Sequence, residues 1–190
     1  MKWNSSIKQT ESGQILFHYT QLGELKNTIT PELSLQPDIS DKVKMISVSK
    51  EYDTDIITLF HAVGDFNYRN RWIEGIKRVE EIDHFLPRVG MRCRYFTDKE
   101  EFVIYSSSYS HSQGKVEFSE TDENRNNLTC FILESTGNNK TRLTVNLYFK
   151  KNFFTEIIFK LMKKEKLEET YNKSLLNITE LLKEIKLPAN

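Results

Sequence analysis

Between Asn152 and Ile185 the chain carries neither proline nor glycine, and the whole stretch reads as helix. At about 1.5 Å per residue such a helix runs about 50 Å, longer than one compact domain needs unless it bends or lies across a whole sheet. The runs before it read as strands, and strands of that kind need a helix to cover them. In the C-terminal half, Leu167, Tyr171, Leu175, Ile178, Leu182 and Ile185 recur at spacings of three and four on one face, which is expected to pack on the sheet. In the N-terminal half the apolar weight falls on Phe153, Phe154, Ile157, Ile158, Leu161 and Met162, a stripe rotated away from the later one. Lys163-Lys164-Glu165-Lys166 separates the two. This predicts a bend or short break at the charge cluster, with both stripes in one core; the competing reading is a lid whose first segment covers a cavity mouth. Leu187-Pro188 ends the element, since proline cannot continue a helix.

Length and charge bound what such a helix can belong to. A chain of 190 residues is expected to hold one principal domain, and 27 basic against 27 acidic residues leave no overall basic field for nucleic acid. No apolar run reaches membrane-spanning length, and Met1-Lys2-Trp3-Asn4 leads into polar sequence without a signal peptide, so a cytoplasmic protein is expected. Cys93 and Cys130 stand in apolar strand-like runs without metal-ligand spacing and read as buried, reduced thiols. Residues 1–41, with Pro31, Pro37 and scattered Ser and Asp, read as an N-terminal arm or extension, and residues 42–190 as the domain proper.

From Lys42 the signals sharpen. Val43 to Ser49 alternates as a strand, Asp53-Thr54-Asp55 offers a helix N-cap, and Ile56, Ile57, Leu59, Phe60 and Val63 follow at helical spacing up to Gly64. A second short helix reaches Trp72. Six strand-like runs follow, Ile76 to Ile82, Val89 to Thr97, Glu101 to Tyr109, Gly114 to Thr121, Asn127 to Ser135 and Lys140 to Phe149. Their links are short and polar, which predicts hairpins and an antiparallel meander.

The order strand, two helices, six strands, long helix resembles the START/Bet v 1-like (SRPBCC) superfamily over about Lys42 to Ile185. The carriers are Ile46-Ser47-Val48-Ser49, the helix around Asp55 to Phe60, Tyr68-Arg69-Asn70-Arg71-Trp72-Ile73-Glu74-Gly75-Ile76, Pro87-Arg88-Val89-Gly90-Met91-Arg92-Cys93, and Thr141-Arg142-Leu143-Thr144-Val145. These look most like the polyketide cyclase/dehydrase branch. The resemblance implies an α+β helix-grip fold, a bent seven-stranded antiparallel sheet wrapped round a long C-terminal helix. It also implies an apolar cavity between sheet and helix, fit for a lipid, a polyketide or another apolar small molecule.

With Asp98-Lys99-Glu100 as a hairpin loop, Met91, Cys93 and Tyr95 share a face with Val103, Tyr105, Ser107 and Tyr109, while Arg92 and Arg94 face out beside Ile104 and Ser106. Val116 and Phe118 point inward on the next strand, and Leu143, Val145, Leu147 and Phe149 on the last. The expected ligand-binding set is Trp72, Met91, Tyr95, Tyr105, Ser107, Tyr109, Phe118, Ile158, Met162 and Tyr171, apolar with a few hydroxyls, the mixture a small-molecule pocket uses. The same residues could simply fill a core, with Trp72 as an anchor between helix and sheet. A one-residue slip in any hairpin inverts its assignment.

Catalytic motifs are sparse. His18, His61, His84 and His111 show no metal-ligand spacing, no nucleophile elbow or phosphate-binding glycine loop occurs, and no metal or cofactor is expected. Glu74 or Asp83 with His84 is the one candidate acid–base pair. Three functions follow: binding or transport of an apolar small molecule or lipid, the leading one; a cyclase- or aromatase-like enzyme; and a protein-interaction module with a filled cavity, comparable with chaperone-activating relatives of the fold.

Overall fold

The short polar links do become hairpins. The structure, a computed structural model, describes residues 37–82, 89–151 and 164–185, all within the unit Ser34–Asn190. Strand β1 (Lys42–Tyr52) leads to helix α1 (Ile56–Gly64), a 3-10 turn (Phe66–Tyr68) and the single-turn helix α2 (Arg69–Trp72). Six strands follow, β2 (Arg78–Glu81), β3 (Arg92–Phe96), β4 (Glu101–Ser112), β5 (Lys115–Asp122), β6 (Asn127–Gly137) and β7 (Lys140–Lys150), and then helix α3 (Lys164–Leu182). All seven strands form one antiparallel sheet in the order β1-β7-β6-β5-β4-β3-β2, so the last strand lies beside the first. This is an α+β helix-grip fold.

Local chemistry explains the punctuation. Asp55 caps α1, accepting from the Ile57 and Thr58 amides at 2.9 Å each and closing two of the amides that a helix start leaves open. Asn138 and Asn139 take φ of 48° and 56° between β6 and β7, the left-handed pair that a tight hairpin demands and that asparagine tolerates. Between β3 and β4 the turn is four residues, Thr97 to Glu100. The Thr97 hydroxyl accepts from the Lys99 and Glu100 amides at 3.2 and 3.1 Å and so acts as a turn residue.

That turn corrects the expected register. Cys93 pairs with Ile104 and Tyr95 with Phe102, so the inward face of β4 carries Phe102, Ile104 and Ser106, while Val103 and Tyr105 pair with Arg94 and Arg92 on the opposite face. A bulge at Ser107 then resets the alternation, and Tyr109 returns to the inner face opposite Phe118. On β7 the expected assignment matches, with Leu143, Val145 and Leu147 all buried.

Helix α3 crosses the inner face. Leu175, Ile178 and Leu181 are buried in the main core with Val48, Leu59, Val63, Phe131, Leu143 and Val145, and Tyr171, Leu182 and Ile185 pack against it. The Tyr52 hydroxyl donates to the Leu175 carbonyl at 2.8 Å, tying β1 to the middle of the helix. The stripe from Phe153 to Met162 lies outside the described residues, as does most of the arm expected over residues 1–41. Replacing Leu175 or Ile178 by Ala is expected to cost about 2–5 kcal/mol in a denaturant titration, the range for truncating a fully buried aliphatic side chain. A loss below about 1 kcal/mol would show that the helix is not gripped by this core.

Candidate functional site

The Tyr68-to-Ile76 segment is held against α3 by polar contacts as well as packing. The Glu74 amide donates to Ser174 Oγ at 2.9 Å, Asn177 Nδ2 donates to the Trp72 carbonyl at 3.3 Å, and Lys173 Nζ meets Glu74 Oε1 at 2.7 Å. The Lys173 ammonium beside it holds the Glu74 carboxyl below the usual carboxylate range. Fixed in this way, the one-turn α2 sends Arg69 and Trp72, three residues apart on one helical side, into the interior.

Arg69 is wholly buried and Glu120, from β5, is 5% exposed. The guanidinium donates from both terminal nitrogens to the two carboxylate oxygens, Nη1 to Oε2 at 3.2 Å and Nη2 to Oε1 by a shorter bond, a bidentate pair. Four aromatic rings enclose the cation, with its central carbon 5.3 Å from the centroid of Phe131, 5.4 Å from Trp72, 5.5 Å from Phe66 and 6.0 Å from Phe118. Burial pushes the Glu120 carboxyl above its usual range, against the opposing pull of Arg69. Arg69 Nε has no hydrogen-bond partner.

Beside this pair a cavity of about 290 Å³ opens between the sheet and α3. Six aromatic residues line it, Trp72, Tyr95, Phe102, Phe131, Phe149 and Tyr171, and α3 contributes Leu167, Thr170 and Ser174. Its charged lining residues are Glu74, Glu120 and Asp122, and no lysine or arginine is among the described residues that line it. Tyr95, 4% exposed, finds only the weak Cys93 thiol for its hydroxyl, and burial pushes that hydroxyl's pKa up. Trp72 Nε1 is buried without a partner. The Tyr171 hydroxyl meets the Thr129 side chain.

Of the ligand-binding set read from the sequence, the structure brings Trp72, Tyr95 and Tyr171 to this cavity. Met91 is buried nearby in a second cluster with Phe66, Ile76, Cys93 and Tyr95. Phe118 stacks on Phe131 at 4.6 Å within the core, and Tyr109 packs on Phe60 at 5.9 Å; neither Phe118 nor Tyr109 is among the lining residues. Tyr105 and Ser107 lie away from it: Tyr105 pairs with Arg92 on the other face because of the four-residue turn, and Ser107 sits at the bulge with its hydroxyl 2.7 Å from that of Ser119. Ile158 and Met162 lie outside the described residues, as do Asp83 and His84 of the candidate acid–base pair. Among the described residues no cluster of three His, Cys, Asp or Glu could hold a metal, and no helix is long and apolar enough to cross a membrane. Arg69 and Glu120 were missed, although Val116, Phe118 and Glu120 alternate onto one face and Arg69 stands one turn before Trp72.

No protein-family model and no curated protein matches the chain. Solved structures do. A hypothetical protein from Helicobacter pylori is 9% identical with a TM-score of 0.57, covering 86% of this chain and 99% of its own. A norcoclaurine synthase point mutant from Thalictrum flavum, solved with a transition-state analogue, is 12% identical with a TM-score of 0.55, covering 75% of this chain and 95% of its own. DynU16, from the dynemicin biosynthetic locus, is 16% identical with a TM-score of 0.50, covering 78% of this chain and 48% of its own. The likeness is one of fold alone, of the helix-grip kind.

Two measurements probe the interior. Glu120→Gln leaves Arg69 buried and unpaired, and is expected to cost about 3–5 kcal/mol, whereas the double change Arg69→Met with Glu120→Leu should recover most of that loss. Unfolding titrations that find the single and double variants equally unstable would refute a pair of this kind. Burial pushes the Cys93 thiol up to about 12 and the Cys130 thiol up to about 11, so both should resist alkylation at neutral pH until the chain unfolds; fast labelling of either in the native protein would contradict their burial.

Proposed function

We propose that the protein binds a small, largely apolar molecule in the cavity between sheet and α3. The observation that carries this is the combination of open volume and lining: about 290 Å³ walled by six aromatic residues, with a few polar groups at fixed positions. Small-molecule sites span about 300–1,000 Å³, mostly apolar with a handful of orienting polar groups, and this cavity stands at their lower edge. A compact ring system or short chain suits it better than a two-tailed phospholipid. The three carboxylates are held by bonds made within the protein, so they need not reorganise when a ligand enters.

A second reading, acid–base chemistry of the cyclase kind, draws on the Glu120 carboxylate at the cavity wall. The bidentate bond to Arg69 engages both of its carboxylate oxygens and leaves fewer lone pairs to meet a substrate proton, which favours binding over chemistry. The fold relatives named above allow either.

Native mass spectrometry of protein purified from its own host tests the proposal. A co-purifying apolar molecule that leaves unchanged on denaturation is the expected result, together with uptake of the neutral probe N-phenylnaphthylamine into the emptied protein and its loss in a Trp72→Ala variant that remains folded. A single mass with no adduct, and no probe uptake by the native protein, would remove the binding reading.

A further inference from the structure

The charge pattern of the cavity wall says more than that the ligand is apolar. On β5, Glu120 and Asp122 are two residues apart and project from the same face, about 7 Å from one another along the strand. Both line the cavity, as Glu74 does from the segment after α2. The three carboxylates are not equivalent. Glu74 is neutralised by Lys173 at 2.7 Å, and Glu120 by Arg69, which lies behind it within its aromatic enclosure. Asp122 accepts from the Asn126 and Asn127 amides at 2.7 and 3.3 Å and from Asn127 Nδ2 at 3.3 Å, and no ion pair joins it to a described lysine or arginine. Among the described residues around the cavity there is therefore one uncompensated negative charge, that of Asp122.

We infer that this cavity takes an apolar amine, an aromatic or alicyclic body carrying one protonated nitrogen, and rejects carboxylates. The inference rests on the binding reading above and assigns its ligand class. An ammonium seated between Glu120 and Asp122 completes the alternation Arg69, Glu120, ligand, Asp122, in which every charge has an opposite neighbour. The carboxylate of Glu120 uses part of its acceptor capacity on Arg69 and keeps lone pairs for a further donor. The Tyr95 hydroxyl, 96% buried beside the cavity with only the Cys93 thiol to meet it, is a further unused acceptor, and such a group gains from a ligand that donates to it. Trp72, Tyr95 and Tyr171 also line the cavity, and an aromatic ring attracts a cation that lies over its face. An anionic head group meets the reverse: three carboxylates in the wall, and the Arg69 guanidinium wholly buried among Phe66, Trp72, Phe118 and Phe131.

Calorimetric titration with three molecules that share one apolar body, naphthylethylamine, naphthylethanol and naphthylacetic acid, decides the matter at neutral pH. The amine is expected to bind at least about tenfold more tightly than the alcohol, and the acid more weakly than both. In Asp122→Asn, which keeps an oxygen for the turn amides, the ratio of amine to alcohol affinity should shrink by about tenfold. Equal binding of amine and alcohol by the unmodified protein, or tighter binding of the acid, overturns the inference and leaves the apolar cavity standing. Failure of all three to bind overturns the cavity reading and the inference together. The ranking by the unmodified protein decides even where the variant folds poorly.

Discussion

A guanidinium with no exposure to water is the constraint around which the interior is arranged. Transferring a charge of either sign out of water costs several kcal/mol, and the attraction between the two ions offsets this only when geometry is good and other polar atoms are satisfied. Arg69 meets the first condition through its two bonds to Glu120 and the second in part, since Nε has no partner. The four rings supply the remainder: their π faces attract the cation and keep water from it. One ion pair thus requires Phe66, Trp72, Phe118 and Phe131 to converge from the 3-10 turn, α2, β5 and β6. The Phe118–Phe131 stack at 4.6 Å and the edge-on Trp72–Phe131 contact at 6.3 Å are the packing consequences.

The same convergence fixes where the helix and the cavity lie. Trp72 touches the ion pair on one side, and its carbonyl accepts from Asn177 of α3, so the position of α2 is transmitted to the helix. Ser174 performs a similar service by bonding the Glu74 amide while donating to the Thr170 carbonyl within its own helix. The core side of α3, Leu175, Ile178 and Leu181, is buried, whereas Leu167, Thr170 and Tyr171, one to two turns before Leu175, line open volume. A helix packed along its C-terminal half and bordering a cavity with its N-terminal part is well placed to form a wall that ligand binding need not displace.

Much of this arrangement was legible from residues alone. Element order followed from hydrophobic periodicity and polar links, and the buried face of α3 from the spacing of Leu175 and Ile178. The slip in β3–β4 came from Thr97, a residue with good strand propensity whose hydroxyl instead bonds the turn amides, moving every β4 partner by one. The bulge at Ser107 had no sequence signature, because a run of Ser106, Ser107 and Ser108 is neutral toward both faces. Arg69 was hidden by Arg71 two residues on. The two differ only in helical phase, Arg69 sharing the side of Trp72 while Arg71 reaches out to Glu184 at 2.6 Å. Glu120 was readable as the third step of the Val116-Phe118 alternation, but strand propensity weighs against glutamate at an inward position, and a long-range partner is invisible to periodicity.

The fold likeness and the absence of sequence likeness have one physical origin. A helix-grip architecture needs apolar residues at alternating strand positions and along one helical stripe, a requirement that many sequences satisfy, so solved structures at 9 to 16% identity share it. The polar groups of an interior are set by no such requirement. Each costs free energy unless a particular partner stands at a particular place, so Arg69, Glu120 and Asp122 are not called for by the fold itself. An apolar pair of matching volume would satisfy the architecture as well as the ion pair does. What such a replacement removes is the carboxylate at the cavity wall, the feature on which the proposed preference for a ligand with a donor at one end over one of the same shape without it rests.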